Sequence, residues 1–269
     1  MFITIEGCRY YAEVKGSGPT LVCLHGFAEN SGTWEALQLQ DCQMVLVDLL
    51  GHGRSAKPSS SEPYSLPVLL RHLHELVAGL GCTRYSLLGY SLGGRIALAY
   101  GAAYPREVQG LILESSAYGI GDEEQRALRR EQDAWLAWEI LEKGIEWFAE
   151  HWSGRPLFAS QTHLPPEIRA KIRARRLENT PHALANTLLG SGQGVFPCLR
   201  EQIPALSMPI LYIHGEQDEK YKGIGREFMD LNPGIKREMI PGAGHNVHLE
   251  KPAAFEKIVR NFWGELFNP

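Results

Sequence analysis

The stretch Leu87-Leu88-Gly89-Tyr90-Ser91-Leu92-Gly93-Gly94-Arg95 constrains the fold more than any other part of the chain. It reads as an apolar strand, a sharp turn at serine and then a helix, with Gly89 and Gly93 flanking Ser91 in a G-x-S-x-G pattern. In such a strained strand-to-helix turn, side chains two positions either side of the serine would strike neighbouring backbone. The turn lifts the hydroxyl out of the sheet at a helix N-terminus, where the N–H of Leu92 is free to stabilise negative charge.

The remaining pattern supplies a sheet for that turn. Phe2–Ile5 and Arg9–Val14 alternate and read as an opening hairpin. Thr20–Leu24, Met44–Val47, Tyr85–Leu88, Val108–Leu113 and Pro209–Ile213 are continuous apolar runs, as in strands buried on both faces of a parallel sheet. Helices are expected over Thr33–Leu39, Leu66–Leu80, from Ser91 through Tyr104, over Ile224–Leu231 and over Ala253–Leu266, with a last strand at Lys236–Ile240. Between about Gly119 and Leu199 no strand-like run occurs, and residues 122–151 and 165–190 read as helices. The expectation is a doubly wound α/β core, residues 1–118 and 200–269, with residues 119–199 inserted as a helical lid.

Composition narrows the functional classes. A net charge of −4 argues against a nucleic-acid partner. No apolar run approaches the ~18 residues of a membrane helix, and the N-terminus lacks the pattern of a signal peptide. Five scattered cysteines without a C-x-x-C pair suit reduced thiols in a cytoplasmic protein and offer no zinc site.

Two strand ends complete a catalytic set. The Ile210–Ile213 run leads into His214-Gly215-Glu216-Gln217-Asp218, and Lys236–Ile240 into Pro241-Gly242-Ala243-Gly244-His245. The order Ser91, Asp218, His245 is the chain order of α/β-hydrolase triads. His245 would take the Ser91 proton, and Asp218 would hold the imidazole tautomer. Glu216 could stand in for Asp218, and His248 competes with His245. His52, between two glycines, reads as a loop residue. The run Thr20–Leu24 ends at His25-Gly26-Phe27, where this architecture supplies a second oxyanion donor, the N–H of Phe27. Arg95 lies one helical turn after Ser91 among apolar neighbours. A desolvated cation there needs a protein carboxylate or an anionic substrate. The segment 119–199 holds eight arginines against two lysines, and arginine is the residue that grips carboxylates bidentately. Trp152 reads equally as a substrate wall or as lid core.

The runs around Ser91-Leu92-Gly93-Gly94-Arg95, Gly215-Glu216-Gln217-Asp218 and Gly242-Ala243-Gly244-His245-Asn246-Val247-His248 resemble the 2-succinyl-6-hydroxy-2,4-cyclohexadiene-1-carboxylate synthases of menaquinone biosynthesis. The run Arg129–Asp133, with Trp152 and Pro156-Leu157-Phe158-Ala159-Ser160 downstream, resembles that family too. The resemblance implies a lyase that eliminates pyruvate from a small anionic polycarboxylate, with a triad-activated serine as base and with neither a metal nor an organic cofactor. It further implies substrate-binding roles for Tyr90, Arg95, Arg129, Trp152 and one arginine among 173–176, with Arg175 favoured. The residues alone also allow a serine hydrolase of esters or carbon–carbon bonds, or a ligand receptor built on the same scaffold.

Overall fold

A computed structural model describes residues 1–267. The chain opens with the antiparallel strands β1 (Phe2–Ile5) and β2 (Cys8–Lys15). It continues through β3 (Thr20–Leu24), β4 (Gln43–Asp48), α1 (Leu66–Gly79), β5 (Tyr85–Tyr90), α2 (Leu92–Ala103) and β6 (Val108–Glu114). Three helices follow without a strand: α3 (Glu123–Ser153), α4 (Pro166–Leu177) and α5 (Pro181–Ser191). The sheet resumes with β7 (Ile210–Gly215), α6 (Glu219–Leu231), β8 (Lys236–Ile240), α7 (Val247–Glu250) and α8 (Pro252–Phe267).

One eight-stranded sheet results, in the order β1-β2-β4-β3-β5-β6-β7-β8. β1 and β2 run antiparallel; β4, β3, β5, β6, β7 and β8 pair in parallel. Alternate residues of one strand enter different cores, because successive side chains point to opposite faces. Val22 and Leu24 pack in the core that holds residues of α1 and α2, whereas Leu21 and Cys23 pack with Phe255, Val259, Phe262 and Trp263 of α8. Both faces are covered, which explains the unbroken apolar runs of the sequence. A third cluster joins Leu136, Ala137, Ile140 and Phe148 of α3 to Leu184, Ala185 and Leu188 of α5 and to Ala28. It seats the helical insertion on the loop that follows β3.

Four sequence expectations are corrected here. Thr33–Leu39 is not an α-helix: Ser31–Trp34 makes a 3₁₀ turn capped by the Asn30 side chain, and the i, i+3 pair Trp34 and Leu37 suits that tighter period. The helix expected over 122–151 is one element, α3, but Gly144 breaks it at φ 81°, a left-handed backbone that glycine adopts without strain. The stretch 165–190 is two helices, α4 and α5, because Pro181 cannot continue the first and instead starts the second. The helix placed at Ile224–Leu231 begins five residues earlier, at Glu219, with Asp218 as its cap.

Candidate active site

The elbow at Ser91 is built as its glycines require. Ser91 has φ 51° and ψ −105°, strained for a residue with a side chain. A Cβ on Gly93 would lie 2.6 Å from the carbonyl oxygen of His25 and closer still to that of Leu24. On Gly89 it would meet the Cα of Gly94 at 2.6 Å. The N–H of Ser91 donates to Glu114 O at 2.9 Å, and its own carbonyl accepts the Arg95 N–H at 3.1 Å. The turn is thereby fixed to β6 and to the helix it starts.

Parallel register brings the ends of β5, β7 and β8 to one edge of the sheet. His245 Nε2 stands 3.2 Å from Ser91 Oγ, and His245 Nδ1 stands 2.6 Å from Asp218 Oδ2. A carboxylate only accepts, so Nδ1 carries the proton and Nε2 is left as the acceptor for the serine hydroxyl. His245 is 1 % exposed and Asp218 6 %. The other oxygen of Asp218 accepts the N–H of Tyr221, so the acid of the triad also caps α6. Rings of Tyr221, Tyr90 and Phe158 surround the imidazole at 4.7, 5.4 and 5.9 Å.

The loop after β3 faces this trio. The imidazole of His25 donates from Nδ1 to Gly26 O at 2.7 Å and accepts the Leu49 N–H on Nε2 at 3.0 Å. Its full burial keeps it neutral by pushing its pKa down. The Gly26–Phe27 peptide is trans, so fixing its carbonyl turns the Phe27 N–H the opposite way. Among the described residues neither that N–H nor the Leu92 N–H, at the first turn of α2, has a protein acceptor. Both residues line a cavity of about 230 Å³ with Ser91 at its wall.

Arg95 lines the same cavity at 6 % exposure. Its Nη2 donates to Ser191 O at 3.1 Å, and its guanidinium stands 5.4 Å from the Phe196 ring centre. Its Nε has no partner, and no carboxylate of the described residues lies within 4.0 Å of it. Burial, with Arg129 nearby, lowers its pKa to about 10. Arg129 is better held: Nε donates to Asp133 Oδ1 at 2.8 Å and Nη1 to Gln193 Oε1 at 3.1 Å. Trp152 lines the cavity too, and its ring meets Phe27 at 5.3 Å and Phe148 at 5.6 Å.

Two residues assigned to substrate binding by resemblance do not line this cavity. Tyr90 is buried behind His245, with its ring 5.1 Å from His248. Arg175 turns away: it donates to Gly32 O at 2.7 Å and lies 3.8 Å from Glu35, in a separate cleft. Neighbours on a helix point about 100° apart, and Arg176 turns into the protein but lines a separate pocket, not the cavity at Ser91. It is buried against Phe158 at 5.1 Å and bonded to Ser153 Oγ. The sequence competitors have other employment. Glu216 accepts the Gly242 N–H at 2.9 Å, and His248 bonds Glu114 at 2.7 Å and Thr33 at 2.7 Å. His52 donates to Leu50 O, and its ring lies tilted against that of His25 at 5.1 Å.

Sequence reasoning missed Lys220, Gln193 and Tyr221, which line the cavity together with Arg155, one of the eight arginines of segment 119–199. Lys220 and Tyr221 lie two and three residues after Asp218, and that proximity was the available signal.

The α/β-hydrolase-fold family model matches residues 19–252. A Bacillus subtilis (strain 168) relative, provisionally named 2-succinyl-6-hydroxy-2,4-cyclohexadiene-1-carboxylate synthase, is 38 % identical over 96 % of this chain and 95 % of its own. The synthase of that name from Enterobacter sp. (strain 638) is 34 % identical over 89 % and 90 %. The structure of MenH from S. aureus matches with a TM-score of 0.89 at 32 % identity, covering 96 % of this chain and 99 % of that one. The enol-lactonase from Burkholderia xenovorans LB400 shares the fold at a TM-score of 0.85 and 22 % identity. Coverage and identity together show that the chain belongs to the 2-succinyl-6-hydroxy-2,4-cyclohexadiene-1-carboxylate synthase family within the α/β-hydrolase fold.

Proposed function

We propose that the protein is a lyase that eliminates pyruvate from 2-succinyl-5-enolpyruvyl-6-hydroxy-3-cyclohexene-1-carboxylate, giving 2-succinyl-6-hydroxy-2,4-cyclohexadiene-1-carboxylate. The relatives named for that product support the reaction. The observation that carries it to this site is Arg95, a buried cation with no carboxylate partner, beside the serine of an assembled triad. A substrate with three carboxylates supplies the missing anion, and a neutral ester has nothing to offer it.

The chemistry follows from the bond changes. Ring carbon 2 lies next to the succinyl ketone, so loss of its proton places charge on the ketone oxygen. The N–H groups of Phe27 and Leu92 are the donors for that oxyanion, each contributing about 3–4 kcal/mol by analogy with other oxyanion holes. A serine hydroxyl is too weak a base alone. His245 Nε2 accepts its proton as Ser91 Oγ takes the proton from carbon 2, and Asp218 stabilises the resulting imidazolium. The ring double bond moves from carbons 3–4 to 4–5, a new one forms at 2–3, and the bond from carbon 5 to the enolpyruvyl oxygen breaks. The His245 imidazolium returns the proton, through Ser91 or solvent, to the carbon of the departing enolate, which leaves as pyruvate with the triad restored. Arg95 and Arg129 hold carboxylates while Trp152 closes the apolar side.

Replacing Arg95 with methionine tests the reading. A charge-assisted hydrogen bond is worth about 1.5–3 kcal/mol, so KM for this substrate should rise about 10- to 100-fold. An unchanged KM would leave the buried cation without a ligand and sink the proposal.

A further inference from the structure

Besides Arg95, the cavity carries an unpaired cation at its mouth and outside the helical insertion. Lys220 sits in the first turn of α6, two residues after Asp218, and lines the cavity near Arg129 and Tyr221. A lysine is poorly placed there, because the N-terminal end of a helix already carries partial positive charge. Lys222, in the same turn, answers that cost with an ion pair to Glu219 at 2.9 Å. Lys220 has no carboxylate of the described residues within 4.0 Å, and its ammonium stands over the face of the Tyr221 ring, 5.3 Å from the centre. Loss of hydration beside Arg129 and Arg95 lowers the pKa of that ammonium. Lys220 stays exposed at the mouth, whereas Arg95 is buried at the cavity floor with an unpartnered Nε. Arg155, exposed and held only against the Trp152 ring, also lines the cavity, and unpaired cations at more than one depth match a ligand with carboxylates at separate ends.

We infer that Lys220 is a specificity-determining residue: a mouth-side receptor for one carboxylate of the substrate, acting with Arg95 below it. This assignment rests on the proposed lyase reading. The ammonium would hold the substrate without moving the reacting proton, so its effect falls on KM and association, and kcat stays near the wild-type value. An ion pair at an open mouth is also screened by salt.

The test compares steady-state pyruvate release by the wild type, Lys220→Met, Lys220→Arg and Lys222→Met, at low and high sodium chloride. Lys220→Met should raise KM about fivefold or more with kcat within about threefold, as for a partly screened charge pair. Lys220→Arg should recover most of the affinity, and Lys222→Met should match the wild type. The kcat/KM of Lys220→Met should also fall less steeply with salt than that of the wild type. An unchanged KM in Lys220→Met, or a loss confined to kcat, overturns the assignment while the lyase reading stands. If the wild type releases no pyruvate above the spontaneous rate, the lyase reading fails. Calorimetric titration with freshly prepared substrate then decides Lys220: weaker binding in Lys220→Met keeps it as a receptor, and equal or absent binding removes it.

Discussion

Arg95 shows how a site of this kind sets affinity against stability. Its pKa falls from 12.5 to about 10, so the fold at neutral pH carries the cost of keeping a charge where hydration is lost. Each tenfold change in a protonation equilibrium corresponds to about 1.4 kcal/mol. Removing the charge should therefore relieve the empty protein even as it impairs binding. Arg95→Met is expected to raise the melting temperature by several degrees, since apolar replacement of buried ionic groups often stabilises by about 1–4 kcal/mol. A lower melting temperature in that variant would mean that the bond to Ser191 O outweighs the desolvation. At the triad, Asp218→Asn keeps the shape but can no longer hold the Nδ1–H tautomer of His245, and kcat should drop on the order of 10³–10⁴-fold. A pyruvate-release assay that finds less than a tenfold loss would remove Asp218 from the relay. Legibility at this scale was uneven. Ser91, Asp218 and His245 each follow a strand in a recognisable order, whereas the direction of Arg175 against Arg176 depends on how α4 is rotated, which no local pattern encodes.

At the scale of elements, the strands were readable because burial on both faces leaves continuous apolar runs, and β3 and β5 are buried along their whole length. Helix limits were less so. Glycines at 223 and 225 obscure the start of α6, and the side chain that caps it, Asp218, serves the triad at the same time. The elbow makes a sharp contrast between two helical glycines. Gly93→Ala drives a methyl into the carbonyls of Leu24 and His25, and should cost about 3 kcal/mol, roughly 6–12 °C in melting temperature, along with activity. Gly79→Ala, at the end of α1, meets nothing within 4 Å and should leave the melting temperature unchanged or slightly raised. Similar behaviour of the two variants would contradict the packing described at the elbow.

The whole molecule assembles its site from one sheet edge, joining a serine and a histidine 154 residues apart. The same edge imposes a pH dependence on stability. Burial holds the pKa of His52 down to about 3 from 6.5, and lowers that of His25 as well. The unfolded chain therefore binds more protons than the folded one below about pH 6.5. Stability is fully present above that value and falls as the pH drops toward 3, by about 1.4 kcal/mol per pH unit for His52, and His25 acts in the same direction. Melting temperatures recorded from pH 8 to pH 5 should decline on the acid side, and His52→Asn should flatten that decline by one proton. A flat profile in the wild type would show that these imidazoles accept protons without strain.

The central claim is elimination by a serine base, and pyruvate is its signature. The deciding measurement is the rate of pyruvate appearance from 2-succinyl-5-enolpyruvyl-6-hydroxy-3-cyclohexene-1-carboxylate, for the wild type, for Ser91→Ala and without enzyme. A serine base predicts fast release by the wild type, with Ser91→Ala close to the spontaneous rate. Release at the spontaneous rate by both proteins would contradict it.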